Sequence, residues 1–109
     1  MLVVNGRSIE TDDQGYLKNS NDWDLEVSKE IAKELNLELT EERLEIVNFV
    51  RKFYETYNTS PAIRALVKAM EKEYGTEKGS SRYLYKLFPD GPALQATKLA
   101  GLPRPVKCI

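Results

Sequence analysis

The sequence contains no histidine and a single cysteine, Cys108. Catalytic groups of the Ser-His-Asp type, Cys-His nucleophile pairs and His-ligated metal sites all require histidine. A zinc site built from cysteines, or an internal disulfide, requires more than one thiol. These kinds of site are therefore excluded, and the chemistry that remains is that of one thiol.

Long apolar runs and a strong charge imbalance are also missing. No apolar run approaches the ~18 residues that span a membrane, and the first residues lack the basic and apolar regions of a secretory signal. We therefore expect a cytoplasmic protein without a membrane partner, whose free thiol stays reduced. The net charge of -1 and the 41% apolar residues argue against a globally basic nucleic-acid coat and a disordered tail.

The 109 residues are sufficient for one domain with a single core. Asn5-Gly6 lies between the segments 2–4 and 7–10 and tolerates the positive φ angles of a type I′ turn, which predicts an N-terminal β-hairpin. A second turn follows near 12–16, and a short third strand is predicted near 16–18. The hairpin region covers residues 1–18.

Helical periodicity begins near residue 22. Trp23, Val27, Ile31 and Leu35 recur every four residues and predict one amphipathic helix. A second helix is predicted over 41–57, capped by Thr40, with a broad apolar face that extends to Tyr57. This second helix is expected to be central to the fold.

Three further helices are predicted downstream. Ser60 and Pro61 suit the cap and first position of a helix that ends near Gly75, because proline lacks the N–H that this position would leave unpaired. Ser80 is a predicted cap for a short helix, and Pro92 begins a fifth helix that ends before Gly101.

The predicted fold class is α+β, mostly α. An N-terminal β-hairpin packs on a bundle of about five helices at 22–100, and a flexible C-terminal arm covers 101–109, all within one domain, 1–109. Pro103 and Pro105 favour extended geometry for the arm, so Cys108 is expected to lie on a reaching segment.

The C-terminal quarter of the chain is basic. Residues 82–109 carry five basic side chains against Asp90 alone: Arg82, Lys86, Lys98, Arg104 and Lys107. The thiol thus lies at the basic end. A lone cysteine is often a small buried hydrophobe, but its penultimate position favours exposure.

The sequence GLPRPVKCI at 101–109, with the segment that precedes it from residue 82, resembles the C-terminal signature of the DsrC/TusE family of sulfur-carrier proteins. The Asn5-Gly6 hairpin with Gly15-Tyr16-Leu17 and the stretch NTSPAIRALVKAM at 58–70 resemble that family as well. The resemblance covers essentially the whole chain, and the segment 22–42 matches least well.

The resemblance implies a mostly helical domain with an N-terminal hairpin and a flexible arm, whose penultimate cysteine, Cys108 here, carries sulfur. Members with two arm cysteines act with dissimilatory sulfite reductase. Their second thiol lies eleven positions before the penultimate one, where this chain has Thr97. The chain is therefore more similar to the TusE branch, a sulfur-relay step toward 2-thiouridine at the tRNA wobble position.

The implied activity is that of a sulfurtransferase that needs no metal or organic cofactor, because exchange at sulfur requires a thiolate, a leaving thiol and access. The implied donor is a TusBCD-like complex of the upstream relay. The implied acceptor is a tRNA 2-thiouridylase with bound tRNA, and direct contact with tRNA stays open.

Residues around the thiol are the candidates for partner or tRNA contact. Arg104 and Lys107 are expected to steer the arm toward acidic partner surfaces or tRNA phosphate, and Ile109 to anchor in an apolar spot. A basic face beside the arm is a further candidate, formed by Lys98, Arg82, Lys86 and Arg64. The alternative is that these charges are simply solvated.

Other functions remain open at this point. The chain resembles in part the DsrC-type partners of sulfur-oxidising or sulfite-reducing systems. The predicted helices 41–57 and 61–74 also have the spacing of a helix-turn-helix DNA-binding motif, with Arg64, Lys68 and Lys72 on the second helix, although the net charge argues against it. A scaffold with an incidental thiol is the third alternative.

Overall fold

The computed structural model describes residues 2–104, so Lys107, Cys108 and Ile109 lie outside the described residues. Within that range the chain forms a two-stranded antiparallel hairpin followed by five α-helices. The strands are β1, Leu2–Val4, and β2, Arg7–Ile9; the helices are α1, Leu25–Glu34, α2, Glu41–Tyr57, α3, Ile63–Tyr74, α4, Ser81–Leu87, and α5, Pro92–Leu99. This confirms the predicted α+β, mostly helical fold class with an N-terminal hairpin.

The hairpin forms as its central dipeptide predicts. Asn5 and Gly6 have φ angles of 50° and 80°, and Leu2 pairs with Ile9 across the ladder. Leu2, Val4 and Ile9 are buried, and the hairpin packs on α1. The predicted third strand is reduced to a single bridge between Thr11 and Leu17.

The element at the centre of the fold is α5, which contacts each of the four other helices. Its Ala96, Thr97 and Leu99 are fully buried. The prediction that the helix 41–57 would be central was wrong. Although α2 is longer, the small side chains of α5 let several helices approach it at once.

Helix ends follow local signals at four of the predicted positions. Thr40 and Ser80 accept the N–H groups of Arg43 and Tyr83 and cap α2 and α4. Pro92 occupies the first turn of α5. Gly75 ends α3 with φ 90°.

Two predicted helix starts were wrong. Trp23 precedes α1, because the Asp24 side chain accepts the Val27 N–H and makes Leu25 the first helical residue. Ser60 does not cap α3, which begins at Ile63 after Ala62 without a side-chain cap. The predicted burial of Tyr57 was wrong as well, since this side chain at the end of α2 is 63% exposed.

None of the helices formed within residues 2–104 has the length and hydropathy required to cross a membrane.

Replacing Asp24 with alanine will lower the stability of the fold at neutral pH. The hydrogen bond from the Val27 N–H is the main cause that lowers the pKa of Asp24, and burial acts in the opposite direction. The hydrogen bond from Arg7, at 2.9 Å, lowers this pKa further. The loss should be about 1 kcal/mol, as for other N-caps. The pKa of Asp24 is lower in the folded chain than in the unfolded chain, where it is about 3.9. The ionised carboxylate therefore stabilises the fold fully above pH ~3.9, and this stabilisation is lost as the pH falls through the folded pKa.

Urea denaturation of wild type and Asp24→Ala from neutral to acidic pH measures this difference. Asp24→Asn is the control, because it keeps an acceptor for the cap and removes the charge. A stability gap between wild type and Asp24→Ala that stayed constant down to the lowest pH would contradict the assignment.

Candidate functional site

The C-terminal end of α5 is where the chain turns toward its last residues. The Gly101 N–H donates to the Lys98 carbonyl at 3.1 Å, and the Leu102 N–H donates to the Thr97 carbonyl at 3.2 Å. With φ 68° at Gly101, these two bonds form a Schellman motif. Gly101 and Leu102 are buried, so these first two residues of the predicted arm belong to the core.

Trp23 and Arg51 hold this turn from the side. Trp23 Nε1 donates to the Leu99 carbonyl and Arg51 Nη1 donates to the Ala100 carbonyl, each at 2.7 Å. The Arg51 guanidinium also lies 4.3 Å from the centre of a Trp23 ring. Carbonyls of the last helical turn, which lack partners within the helix, are thereby satisfied. Burial lowers the pKa of Arg51, and Glu55 acts in the opposite direction.

Two further contacts fix the chain just after the core. The buried Ser60 hydroxyl donates to the Pro103 carbonyl at 2.6 Å. Arg104 Nη1 donates to Gln14 Oε1. We call the set that fastens residues 99–104 the arm base: Trp23, Arg51, Ser60 and Gln14. The arm base sets the position from which residues 105–109 continue.

A groove of about 460 Å³ lies beside the arm base. One wall is the turn at 12–16, which Asp12 organises by accepting the Gln14 and Tyr16 N–H groups at 2.9 and 3.0 Å. The other wall is α5. The residues that line the groove are Gln14, Tyr16, Leu35, Asp90, Leu94, Gln95, Lys98 and Arg104.

Gln95 is the unusual polar residue of this groove. Its side chain is only 6% exposed, and its Oε1 has no hydrogen-bond partner among the described residues. A buried acceptor without a donor is costly in free energy. Lys98 is oriented nearby, with its Nζ 5.0 Å from the centre of the Tyr16 ring, while the Tyr16 hydroxyl donates to the Leu94 carbonyl at 3.4 Å.

The structure brings together two of the predicted site residues. Lys98 and Arg104 both line the groove. Arg64 on α3 and Arg82 and Lys86 on α4 are exposed but are not among the described residues that line it. These three therefore do not line the groove, and their place in a basic face beside the arm stays a prediction.

The sequence prediction missed Gln95 and the residues of the arm base. One signal for Gln95 was present in the sequence. It occupies the same helical face as Pro92, Ala96 and Leu99, all of which are buried. A glutamine on an apolar face is a candidate for a buried polar site.

Thr97, where the resemblance implies the second thiol of two-cysteine members, is fully buried on α5. Its Oγ1 has no hydrogen-bond partner among the described residues. A threonine cannot form a disulfide, so this chain has no internal thiol with which Cys108 can pair.

A family model described as DsrC like protein matches residues 3–109. The chain belongs to the DsrC-like family. A sulfurtransferase TusE from Photorhabdus laumondii subsp. laumondii is 62% identical over 109 residues, which cover 100% of this chain and 98% of the relative.

Solved structures of the family share the fold. The NMR structure of Allochromatium vinosum DsrC has a TM-score of 0.88 and 50% identity, with 100% of both chains covered. The crystal structure of the oxidized gamma-subunit of the dissimilatory sulfite reductase (DsrC) from Archaeoglobus fulgidus has a TM-score of 0.83 and 37% identity, with 99% of this chain and 98% of that chain covered.

These relatives support a sulfurtransferase role, in which the chain acts as a sulfur carrier. This role agrees with the resemblance that the sequence shows and favours a sulfur carrier over the helix-turn-helix alternative. The groove and the arm base therefore belong to a protein that moves sulfur.

Proposed function

We propose that Cys108 is the thiol that carries sulfur in a relay toward tRNA. It receives sulfur from a TusBCD-like donor complex and passes it to a tRNA 2-thiouridylase, which makes 2-thiouridine at the wobble position. The observation that carries this proposal is that Cys108 is the only cysteine of a sulfur-carrier chain. No other side chain of the sequence provides a nucleophilic thiolate.

The transfer is exchange at sulfur and balances without an oxidant or reductant. The Cys108 thiolate attacks the outer sulfur of a donor persulfide, R-S-SH, so that one S–S bond forms as another breaks. The donor leaves as a thiolate, and Cys108 holds the outer sulfur as Cys-S-SH. A thiolate of the acceptor then takes that sulfur by the same reaction, which regenerates the Cys108 thiolate.

The described residues support this proposal through the arm base. Cys108 follows Arg104 by four residues, which span at most about 14 Å when fully extended. The arm base holds Arg104 beside the groove, so the described part of the chain ends there. We therefore expect partners that exchange sulfur with Cys108 to approach this side of the domain.

Thr97 supports the tRNA branch of the family over a partnership with sulfite reductase. An intramolecular disulfide or trisulfide needs a second arm cysteine, which this chain lacks. A chain with one thiol holds one sulfur atom and passes it on, as a relay requires. We also propose that the chain works in the cytoplasm, where its thiol stays reduced.

Incubating the protein with a sulfur-loaded donor complex will add the mass of one sulfur atom to the intact chain. Peptide mass spectrometry should place that sulfur on Cys108, because thiolate exchange requires a thiol. Wild-type protein alkylated beforehand at Cys108 is the control and should gain nothing. Sulfur retained by Cys108→Ala would contradict the proposal.

A further inference from the structure

We propose that the groove beside α5 is the docking site for an extended acidic segment of a protein that exchanges sulfur with Cys108. This inference rests on the relay function proposed above. It adds the surface that recognises a partner and the chemistry of the segment that is recognised.

Gln95 indicates that the occupant of the groove donates a hydrogen bond. Gln95 lines the groove, and its buried Oε1 has no hydrogen-bond partner among residues 2–104. Burying an acceptor costs the most free energy when the acceptor loses its hydrogen bonds to water and no protein donor replaces them. An extended peptide offers unpaired backbone N–H groups and is suited to this oxygen.

Lys98 and Arg104 indicate that the occupant also carries negative charge. Both line the groove, where Asp90 is the one acidic residue among the described lining residues. Each cation is oriented by a neighbour, Lys98 over the Tyr16 ring and Arg104 by Gln14. Carboxylates of a bound segment would form charge-assisted hydrogen bonds with these groups.

The same features disfavour a nucleic acid as the occupant. Phosphate oxygens only accept hydrogen bonds, so a nucleic acid would have to present a ribose hydroxyl or a base N–H group to Gln95 Oε1. Single-stranded nucleic acid is typically held by exposed rings on which bases stack. Tyr16, the aromatic residue among the described lining residues, is 4% exposed and has Lys98 over its ring.

The position of the groove suits a partner that must reach the thiol. Arg104 belongs both to the groove and to the segment that leads to Cys108. A segment bound along the groove would therefore hold the partner's reacting sulfur within reach of Cys108. Docking of this kind raises the effective concentration of the two sulfur atoms.

Affinity is measured in the Cys108→Ser background, which separates docking from sulfur chemistry. The probes are the unloaded TusBCD-like donor complex and the tRNA 2-thiouridylase. Adding Lys98→Glu should weaken binding to at least one of them about tenfold at low salt, and less at high salt, because like charges then face each other. Lys86→Glu, on exposed α4, is the matched control and should have little effect.

Gln95→Met provides a test that loss of folding cannot mimic. Methionine has a similar shape and removes the oxygen that lacks a partner among residues 2–104, so the melting temperature of the free chain should stay the same or rise. Affinity for the same partner should nevertheless fall, because the donor of the bound segment loses its acceptor. Unchanged affinity in both Lys98→Glu and Gln95→Met would overturn the groove as a docking site.

Photo-crosslinking identifies the occupant. A benzoylphenylalanine at Leu94, which lines the groove and is 36% exposed, should crosslink to an acidic segment of the partner. The same group at Tyr85, exposed on α4, should not. Crosslinks from Leu94 to RNA, to a non-acidic segment or to residues 105–109 of the same chain would each overturn the proposal.

These results distinguish the two proposals. If the groove variants lose affinity while Cys108 takes up no sulfur from the donor, the relay function fails and the docking site stands. If Cys108 is loaded normally and the groove variants bind both partners as the wild type does, the docking site fails and the relay function stands.

Discussion

Replacing Cys108 with serine will abolish sulfur delivery to tRNA, so that wobble 2-thiouridine falls to the level found in cells without this chain. A serine hydroxyl cannot take the outer sulfur of a persulfide at neutral pH, whereas an unperturbed cysteine is already a few per cent thiolate there. The chain has no second thiol that could substitute. Nucleoside mass spectrometry of total tRNA measures the effect, with the level of the protein checked by immunoblotting.

Moving the thiol provides the matched control for this experiment. Cys108→Ser combined with Ser8→Cys restores one thiol per chain, on the exposed face of β2. This variant should not recover thiolation, because the thiol no longer follows the arm base. Normal 2-thiouridine in the Cys108→Ser strain, or full recovery with the thiol on β2, would contradict the role of Cys108.

Features with a local cause could be predicted from the sequence. Asn5-Gly6 adopts the positive φ angles that its hairpin requires. Thr40 and Ser80 cap helices because each hydroxyl accepts a hydrogen bond from a backbone N–H only three residues further along the chain. The resemblance to a sulfur-carrier family was also visible, because it depends on a contiguous C-terminal motif.

Features with a distant cause could not be predicted in this way. The pattern Ser60-Pro61 is typical of a helix start, yet the Ser60 hydroxyl bonds the carbonyl of Pro103, 43 residues away. Trp23 continues a helical pattern, yet it donates to Leu99, 76 residues away. In both cases the residue forms a tertiary hydrogen bond at the arm base instead of the helical role that its neighbours in sequence predict.

The groove shows the same limit. Its walls come from the turn at 12–16 and from α5, which no sequence pattern places side by side. The sequence predicted Lys98 and Arg104 as contact residues from their charge, and the groove unites them. Whether Gln95 Oε1 has a partner depends on every neighbouring group, so only the folded structure reveals that none of residues 2–104 bonds it.

Replacing Gly101 with alanine will destabilise the protein more than the same change at another glycine with positive φ. A Cβ at Gly101 would lie 2.5 Å from Trp23 Cδ1 and 2.7 Å from Trp23 Cβ, and its φ is 68°. The backbone strain and the overlap together should cost about 2–5 kcal/mol of unfolding free energy. Urea denaturation measures this cost, and the midpoint should fall without a change in the slope.

Gly6→Ala is the control that separates strain from overlap. Gly6 has a φ of 80°, and a Cβ there would meet no atom within 4 Å. Its substitution should therefore cost only the backbone strain, about 1–2 kcal/mol. The double variant Gly101→Ala/Trp23→Ala should cost less than the sum of its single variants, because removing the indole removes the overlap. If the two glycine substitutions lowered the free energy of unfolding equally, the close packing of Trp23 on Gly101 would not be what fixes residues 99–104.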